Sequence, residues 1–594
     1  MQRRSRQFAL WFSCGLPLVF ASPAFAQDDE DDVEPGPTIV NKGGAEVDLR
    51  SFGRVAADDT IRTGGVLLTN DATPVSGPAV VPQVQTRGGN TQVNDPGLDN
   101  IQIFPGFRPF VEFTQSETSI AAVGQNIVAT YNTSAFQPLV PVPGGLAFVH
   151  RFLSGYSSST DGGKTWVSSF MPPLPGSIFT FGDPAIATDR TGNFYFAGLG
   201  ADSAGRFTIQ VNKSTNGGRT FGAAVLVQQD NGGDKEWIAV GKDPGVPGRD
   251  NVYVTWTSFQ ASGAQLRLGR SFDGGASFVT KTIFAPPPDP DPTKPQNSLQ
   301  FSNPVVDPIT GRLYIPFIQF SNSDTDFIRV LASDDAGETF SFLTFNVAGA
   351  PSPTVLPVVQ AGELVDGGSG GLRLAIHAGP ALAGRVGLRQ FVQTTRLVTQ
   401  PAFAARNGVL YLAWSQSTSP FFGDPNSGSN VLFIRSSNGG ATWSAPIQVN
   451  PASVSDVHHV LPALDISASG TSVHVGYFTQ HADESVDVDL ANSQDNGTTF
   501  PVNRTVRLTS TPFVLPPTVI RLTAGPTPTT NYDRTIVSAY SLGEYLSVTA
   551  ANGSVFVLWG DARNHVTEPV NPLSPISGQT HSQQDVFFQE VKAQ

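Results

Sequence analysis

The 594-residue chain has one cysteine, two methionines and only 14% charged residues. The cysteine, Cys14, lies in an apolar run from Phe8 to Phe20, which follows Arg3, Arg4 and Arg6 and precedes Ala24-Phe25-Ala26. That order of basic, apolar and small residues reads as a secretory leader over 1–26, cleaved near Ala26, with a secreted or periplasmic product. Cys14 leaves with it, so disulfides are excluded and stability must come from burial and hydrogen bonding. No other run nears the ~18 apolar residues that span a bilayer, so no membrane span is expected. Basic residues are also scarce. The net charge is −13, and loss of the leader arginines makes it more negative, so nucleic acid is not an expected partner.

What is abundant is glycine (60), proline (47) and phenylalanine (41). Turn-rich, aromatic-rich and charge-poor composition predicts an all-β fold of many short strands. Six copies of one eight-residue pattern organise it: "STDGGKTW" from Ser159, "STNGGRTF" from Ser214, "SFDGGASF" from Ser271, "SDDAGETF" from Ser333, "SSNGGATW" from Ser436 and "SQDNGTTF" from Ser493. Their steps are 55, 57, 62, 103 and 57 residues, all but one close to a common period, which signals stacked supersecondary units.

A second pattern, strand–turn–strand, starts at Thr118, Pro184, Trp237, Pro304, Pro401, Pro462 and Tyr545. The first six copies are each followed by a box. From turn glycines Gly192, Gly248, Gly311 and Gly470 to the next box serine is 22, 23, 22 and 23 residues, which leaves room for two further strands. The unit is an antiparallel meander of four strands, and radial repetition of meanders predicts a β-propeller. Seven hairpins predict seven blades, with six or eight as alternatives. The propeller is expected over 100–594, after an acidic linker and loosely organised segment over 27–99. Insertions are expected at 345–397 and 506–542. The last blade is one strand short, and "NIQIFPGF" from Asn100 is the candidate to close the ring.

The boxes resemble the Asp-box, or BNR repeat, of sialidases and related propellers. Hairpins and boxes together cover about residues 116–594. The box acceptors Asp161, Asn216, Asp273, Asp335, Asn438 and Asp495 are expected to accept hydrogen bonds from turn amides. Asn in two of six keeps the acceptor oxygen without the charge, which suits a turn and not a catalytic acid. The resemblance also implies that the boxes lie on the face away from an active site.

Chemistry is expected at the opposite face, where the inner strands start and the second–third strand loops lie. Aligning the hairpins gives an axial ring of Glu117, Asp183, Glu236, Asn303, Gln400, Leu461 and Glu544. Its acids Glu117, Asp183, Glu236 and Glu544 are candidates for acid/base catalysis or for a central cation such as Ca²⁺, and otherwise cap loop amides. Arg108, Arg206, His481, Asp561, Arg563 and His565 are candidate substrate-binding residues. The resemblance implies an arginine triad, an acidic acid/base residue and a tyrosine activated by a glutamate. Phe107-Arg108-Pro109 lacks the isoleucine of the family's first arginine motif, and Tyr545 and Glu544, adjacent on a strand, face opposite ways. Two readings follow. One is a glycan-active enzyme, a sialidase-like hydrolase or a polysaccharide lyase. The other is a non-catalytic glycan- or protein-binding scaffold. A monomer is expected.

Overall fold

Each hairpin alternates β-branched or aromatic residues with small ones, so both faces of each sheet can pack against a neighbour. The computed structural model describes residues 89–99, 115–133, 151–287, 298–320, 327–343, 400–417, 428–452, 457–483, 485–514, 545–567 and 580–592, plus a few short strands outside these runs. Among them there is no α-helix. All seven hairpins are present: Gln115–Val123 with Asn126–Thr133, Phe179–Thr188 with Phe194–Ala201, Gly233–Lys242 with Asp250–Gln260, Val305–Val306 with Leu313–Phe320, Ala402–Arg406 with Val409–Ser417, His458–Ile466 with Val473–Gln480, and Ser547–Ala551 with Ser554–Thr567. Third and fourth strands complete each antiparallel meander, as in Gly263–Ser271 and Val279–Phe284 of the third.

Each inner strand touches the next, and that of the last hairpin returns to Gln115–Val123. The apolar core follows this cyclic order as layers between neighbouring sheets. One layer joins Phe181 and Ile209 to Ile238 and Trp256, another joins Val488 and Leu490 to Val557 and Trp559, and a third closes the circle by joining Ile127 and Trp166 to Phe556 and Phe588. The fold is a β-propeller of four-stranded antiparallel blades. Three wholly buried indoles keep their donors satisfied: Trp256, Trp414 and Trp559 donate to Asp230, Gln416 and Asp561 at 2.9, 3.0 and 2.9 Å.

The ring closes through the N-terminal side, but not through the expected segment. Thr91–Gln92 pairs with Phe587 and Phe588 as the last blade's fourth strand. The segment from Asn100 lies outside the described residues, as does most of 345–397. The connection expected from 506 starts later, because Thr505–Arg507 is the sixth blade's fourth strand.

All six boxes use one hydrogen-bond pattern. The serine hydroxyl donates to the acceptor at position three over 2.7–2.9 Å. The same hydroxyl accepts the amide of the fifth residue at 2.8–3.0 Å. The acceptor also takes the amide of the seventh residue at 2.8–3.1 Å. Asn needs only a reversed outer bond. Asn216 and Asn438 donate to Thr220 and Thr442, whereas Asp161 accepts from Thr165. The closing aromatic packs on the preceding blade: Phe221 on Tyr156, Trp166 on Phe588 and Phe500 on Phe433, with ring centroids 5.0–5.1 Å apart.

Bonds from Ser277 and Ser271 hold the Asp273 carboxyl down at about 2. A carboxylate held below its unfolded value supports the fold above the ordinary carboxylate range and loses that support as pH falls through its folded value. Asp273→Asn is therefore expected to melt near the wild-type temperature at neutral pH and to lose less on acidification from pH 5 to 2. Thermal melts across that range check it, and parallel profiles would count against the assignment.

Candidate functional site

The inner strands of four blades carry the same defect. Pairing skips between Ser116 and Ser119, Gly182 and Ala185, Asp234 and Trp237, and Val460 and Ala463. The first residue of each bulge has a left-handed backbone: Glu117 (φ 51°), Asp183 (53°), Lys235 (51°) and Leu461 (52°). Such a conformation costs a non-glycine residue on the order of 1–3 kcal/mol. Because Leu461 shares it, the bulge belongs to the architecture and not to one chemistry.

This register corrects the aligned ring. The third-blade counterpart of Glu117 and Asp183 is Lys235, and Glu236 takes the following place with Thr118 and Pro184. Lys235 Nζ lies 2.9 Å from Glu117 Oε1 and 3.3 Å from Asp183 Oδ1, with all three side chains at most 4% exposed. Asn132 ties the pair from the second strand of the first blade. Its Nδ2 donates to Glu117 Oε2 at 2.8 Å, and its Oδ1 accepts the Asp183 amide at 2.9 Å. Tyr545 comes from the seventh blade, its ring 5.5 Å from Lys235 Nζ and edge-on to Trp237 at 4.8 Å. Its hydroxyl donates to Pro184 O at 3.3 Å. Side chains from the first, second, third and seventh blades thus meet in one buried knot.

Burial pushes the Asp183 carboxyl well above the usual carboxylate range, against the pull of the Lys235 ammonium. Burial does the same to Glu236, and the neighbouring Asp183 adds to it. Neither oxygen of Glu236 has a hydrogen-bond partner among the described residues. The cation among these acids is the Lys235 ammonium. Among the described residues, no three His, Cys, Asp or Glu side chains are grouped to hold a metal ion.

The remaining ring members are separate from the knot. Asn303 Nδ2 donates to Pro401 O at 3.2 Å across the fourth and fifth blades. Gln400 and Leu461 are buried. Glu544 and Arg108 lie outside the described residues.

The described candidate substrate-binding residues stand in different surroundings. Arg206 sits in an exposed turn, its Nε 2.7 Å from Asp202. His565 is exposed, with Nδ1 3.0 Å from Arg563 O. Asp561 and Arg563 pair internally at 0% and 6% exposure instead of facing solvent. Arg563 Nη1 also donates to Asn90 Oδ1 and Ser510 Oγ at 2.8 and 2.9 Å, and its guanidinium covers the Phe587 ring at 4.5 Å.

One candidate stands at the loop face with functional groups around it. His481 Nε2 lies 3.0 Å from Asp487 Oδ2, and the His481 side chain is 40% exposed. The bond from Asp487 holds the imidazole above its ordinary value. Arg507 Nη1 approaches the same oxygen at 3.7 Å and is 56% exposed, while Thr509 donates to Asp487 Oδ1. A buried carboxylate therefore orients two exposed donors. Arg507 went unnoticed in the sequence because it follows a box in a three-residue strand without periodic signal.

No family model matches the chain, and no curated protein matches it. Among solved structures it is similar to a Dyadobacter fermentans protein of unknown function, at 14% identity over 69% of this chain and 95% of that one, with a TM-score of 0.36. A Hadza microbial sialidase is 14% identical over 75% of each chain, with a TM-score of 0.35. Trypanosoma rangeli sialidase in complex with sialic acid is 12% identical over 87% of this chain and 60% of its own, with a TM-score of 0.34.

Among the described residues, no helix is long and apolar enough to cross a membrane.

Proposed function

We propose that this chain is an exported, non-catalytic propeller that binds an extracellular glycan on its loop face. One observation carries the non-catalytic part: the Lys235 ammonium stands between Glu117 and Asp183. Glycoside hydrolysis needs two carboxyl groups on either side of the scissile bond, roughly 5–10 Å apart, with the sugar between them. Here that space is filled by a buried cation, and the second oxygen of Glu117 is committed to Asn132. A sugar has no way to approach either acid.

The glycan rests on the likeness of the six boxes to those of sialidase-type propellers, and export rests on the basic, apolar and small order of residues 1–26. The His481–Asp487–Arg507 group is the contact we assign. Its donors are exposed, and His481 is held by its bond to Asp487, an arrangement that lowers the ordering penalty of binding hydroxyl or ring oxygens. His481→Ala and Arg507→Ala are each expected to weaken glycan binding about 10- to 100-fold, the loss of one charge-assisted hydrogen bond, with cooperative unfolding retained. Screening on a glycan array followed by calorimetry checks this. Wild-type affinity in both variants would remove the assignment.

A further inference from the structure

The axial knot has a charge problem that the proposed binding does not touch. It brings together the carboxyls of Glu117, Asp183 and Glu236 with one ammonium, that of Lys235, and every one of these residues is nearly inaccessible to water. Glu117 and Asp183 share the ammonium. Glu236 has nothing of the kind. Both of its oxygens, and Asp183 Oδ2, are buried without a hydrogen-bond partner among the described residues.

Among the described residues, no further cation bonds to Glu236. On its own strand are Lys235, already engaged, Asp234, which accepts from Gln300 Nε2 at 2.6 Å, and at the far end Lys242, which donates to Ile309 O at 2.7 Å. The second blade's inner strand brings Asp183, the first blade's brings Glu117, and the seventh blade brings Tyr545. The paired strand Asp250–Gln260 faces it with Thr255, Trp256 and Thr257, none of which titrates in this range. An ionised carboxylate so placed would lose its hydration with no compensating partner, a penalty of several kcal/mol. The cheapest ligand that removes the charge is a proton.

We propose that Glu236 holds a proton in the closed axis and that opening of the inner strand Gly233–Lys242 releases it, which makes the axis a latch that loosens as pH rises. The direction follows from linkage. In the closed strand the carboxyl titrates above its ordinary value because of burial, with Asp183 adding to it. Once the strand opens and water reaches it, the carboxyl returns to about 4.3. The closed state is therefore favoured most below that ordinary value and loses ground as pH rises towards the raised one. Over that interval each pH unit shifts the opening equilibrium up to tenfold, one proton being released per opening. Asp183 is also held above the usual range but keeps the Lys235 ammonium 3.3 Å away, so the larger part of the slope should belong to Glu236.

The test is hydrogen exchange of the backbone amides at residues 235–238 in the full chain, from pH 6 to 8, with the intrinsic exchange rate divided out. Wild-type protection is expected to fall by up to tenfold per unit, and that of Glu236→Gln is expected to fall much less steeply. Asp183→Asn should keep a slope, because the titrating group is still present. A Gln variant that falls as steeply as wild type overturns the proposal, as does a slope lost in Asp183→Asn but kept in Glu236→Gln. Should the Gln variant not fold, infrared spectroscopy of the wild type decides. The carbonyl stretch of a protonated carboxyl without hydrogen bonds is expected at neutral pH, and its absence overturns the assignment.

Discussion

Lys235→Met is expected to destabilise the chain by about 3–5 kcal/mol, the effect of removing one partner from a buried ionic group. Methionine keeps the apolar stem of lysine and drops only its terminal ammonium, so the change is mostly electrostatic. Glu117 and Asp183 would then face each other without a counter-charge, both almost wholly buried. One would take up a proton, and the other would remain charged in a medium that solvates it poorly. Adding Glu117→Gln and Asp183→Asn should recover much of the loss, because neutral groups of similar shape tolerate burial far better than an orphaned charge. Denaturant midpoints of the single and triple variants check this. A triple variant no more stable than Lys235→Met would mean that the ammonium does more than neutralise these acids.

A comparable loss, about 3–5 kcal/mol, is expected for Arg563→Ala, with a local signature as well. Arg563 is the only cation hydrogen-bonded to the fully buried Asp561 among the described residues, and it also clasps Asn90 and Ser510. Asn90 in turn donates to Leu508 O and Gln589 Oε1 at 2.8 and 2.9 Å. Four residues further on, Asn94 donates to Asp585 Oδ1 at 2.7 Å and accepts the Val586 amide at 2.8 Å. These side chains pin the two-residue strand that closes the ring. Truncating Arg563 should thus speed proteolytic cleavage around residues 89–99 well before the blades unfold. Equal cleavage rates in variant and wild type would place the closure elsewhere.

These two sites also show where the sequence stops being informative. The boxes were legible because every hydrogen bond that defines them falls within seven residues, so identity and spacing carry the geometry. The hairpins were legible for the same reason: alternation and a turn glycine are local signals. Closure by the N-terminal side followed from counting strands in the last blade. Its identity did not, because Thr91–Gln92 is too short for any alternation and is fixed by side chains contributed from nearly 500 residues away.

Lys235 was missed by one position. By its sequence pattern the hairpin begins at Trp237, whereas its register places the equivalent start at Glu236. Counting two residues back from the first paired residue gives Glu117 from Ser119, Asp183 from Ala185 and Leu461 from Ala463. From Trp237 it gives Lys235. A bulge does not announce itself in composition, but its offset is constant once one copy is known. Arg563 reads as solvated from its place after a hairpin, whereas Asn90 of the returning N-terminal segment, Ser510 and the Phe587 ring together bury it.

The claim that the axis is an ionic pivot and not a catalytic centre is tested most directly by sugar release. The purified chain would be incubated with the glycan it binds on the array and with a panel of glycosides that includes a sialoside, and the products would be followed by mass spectrometry. Intact glycan after prolonged incubation, with binding retained, is the predicted result. Release of a sugar that disappears in folded Glu117→Gln or Asp183→Asn would contradict it and return those acids to catalysis.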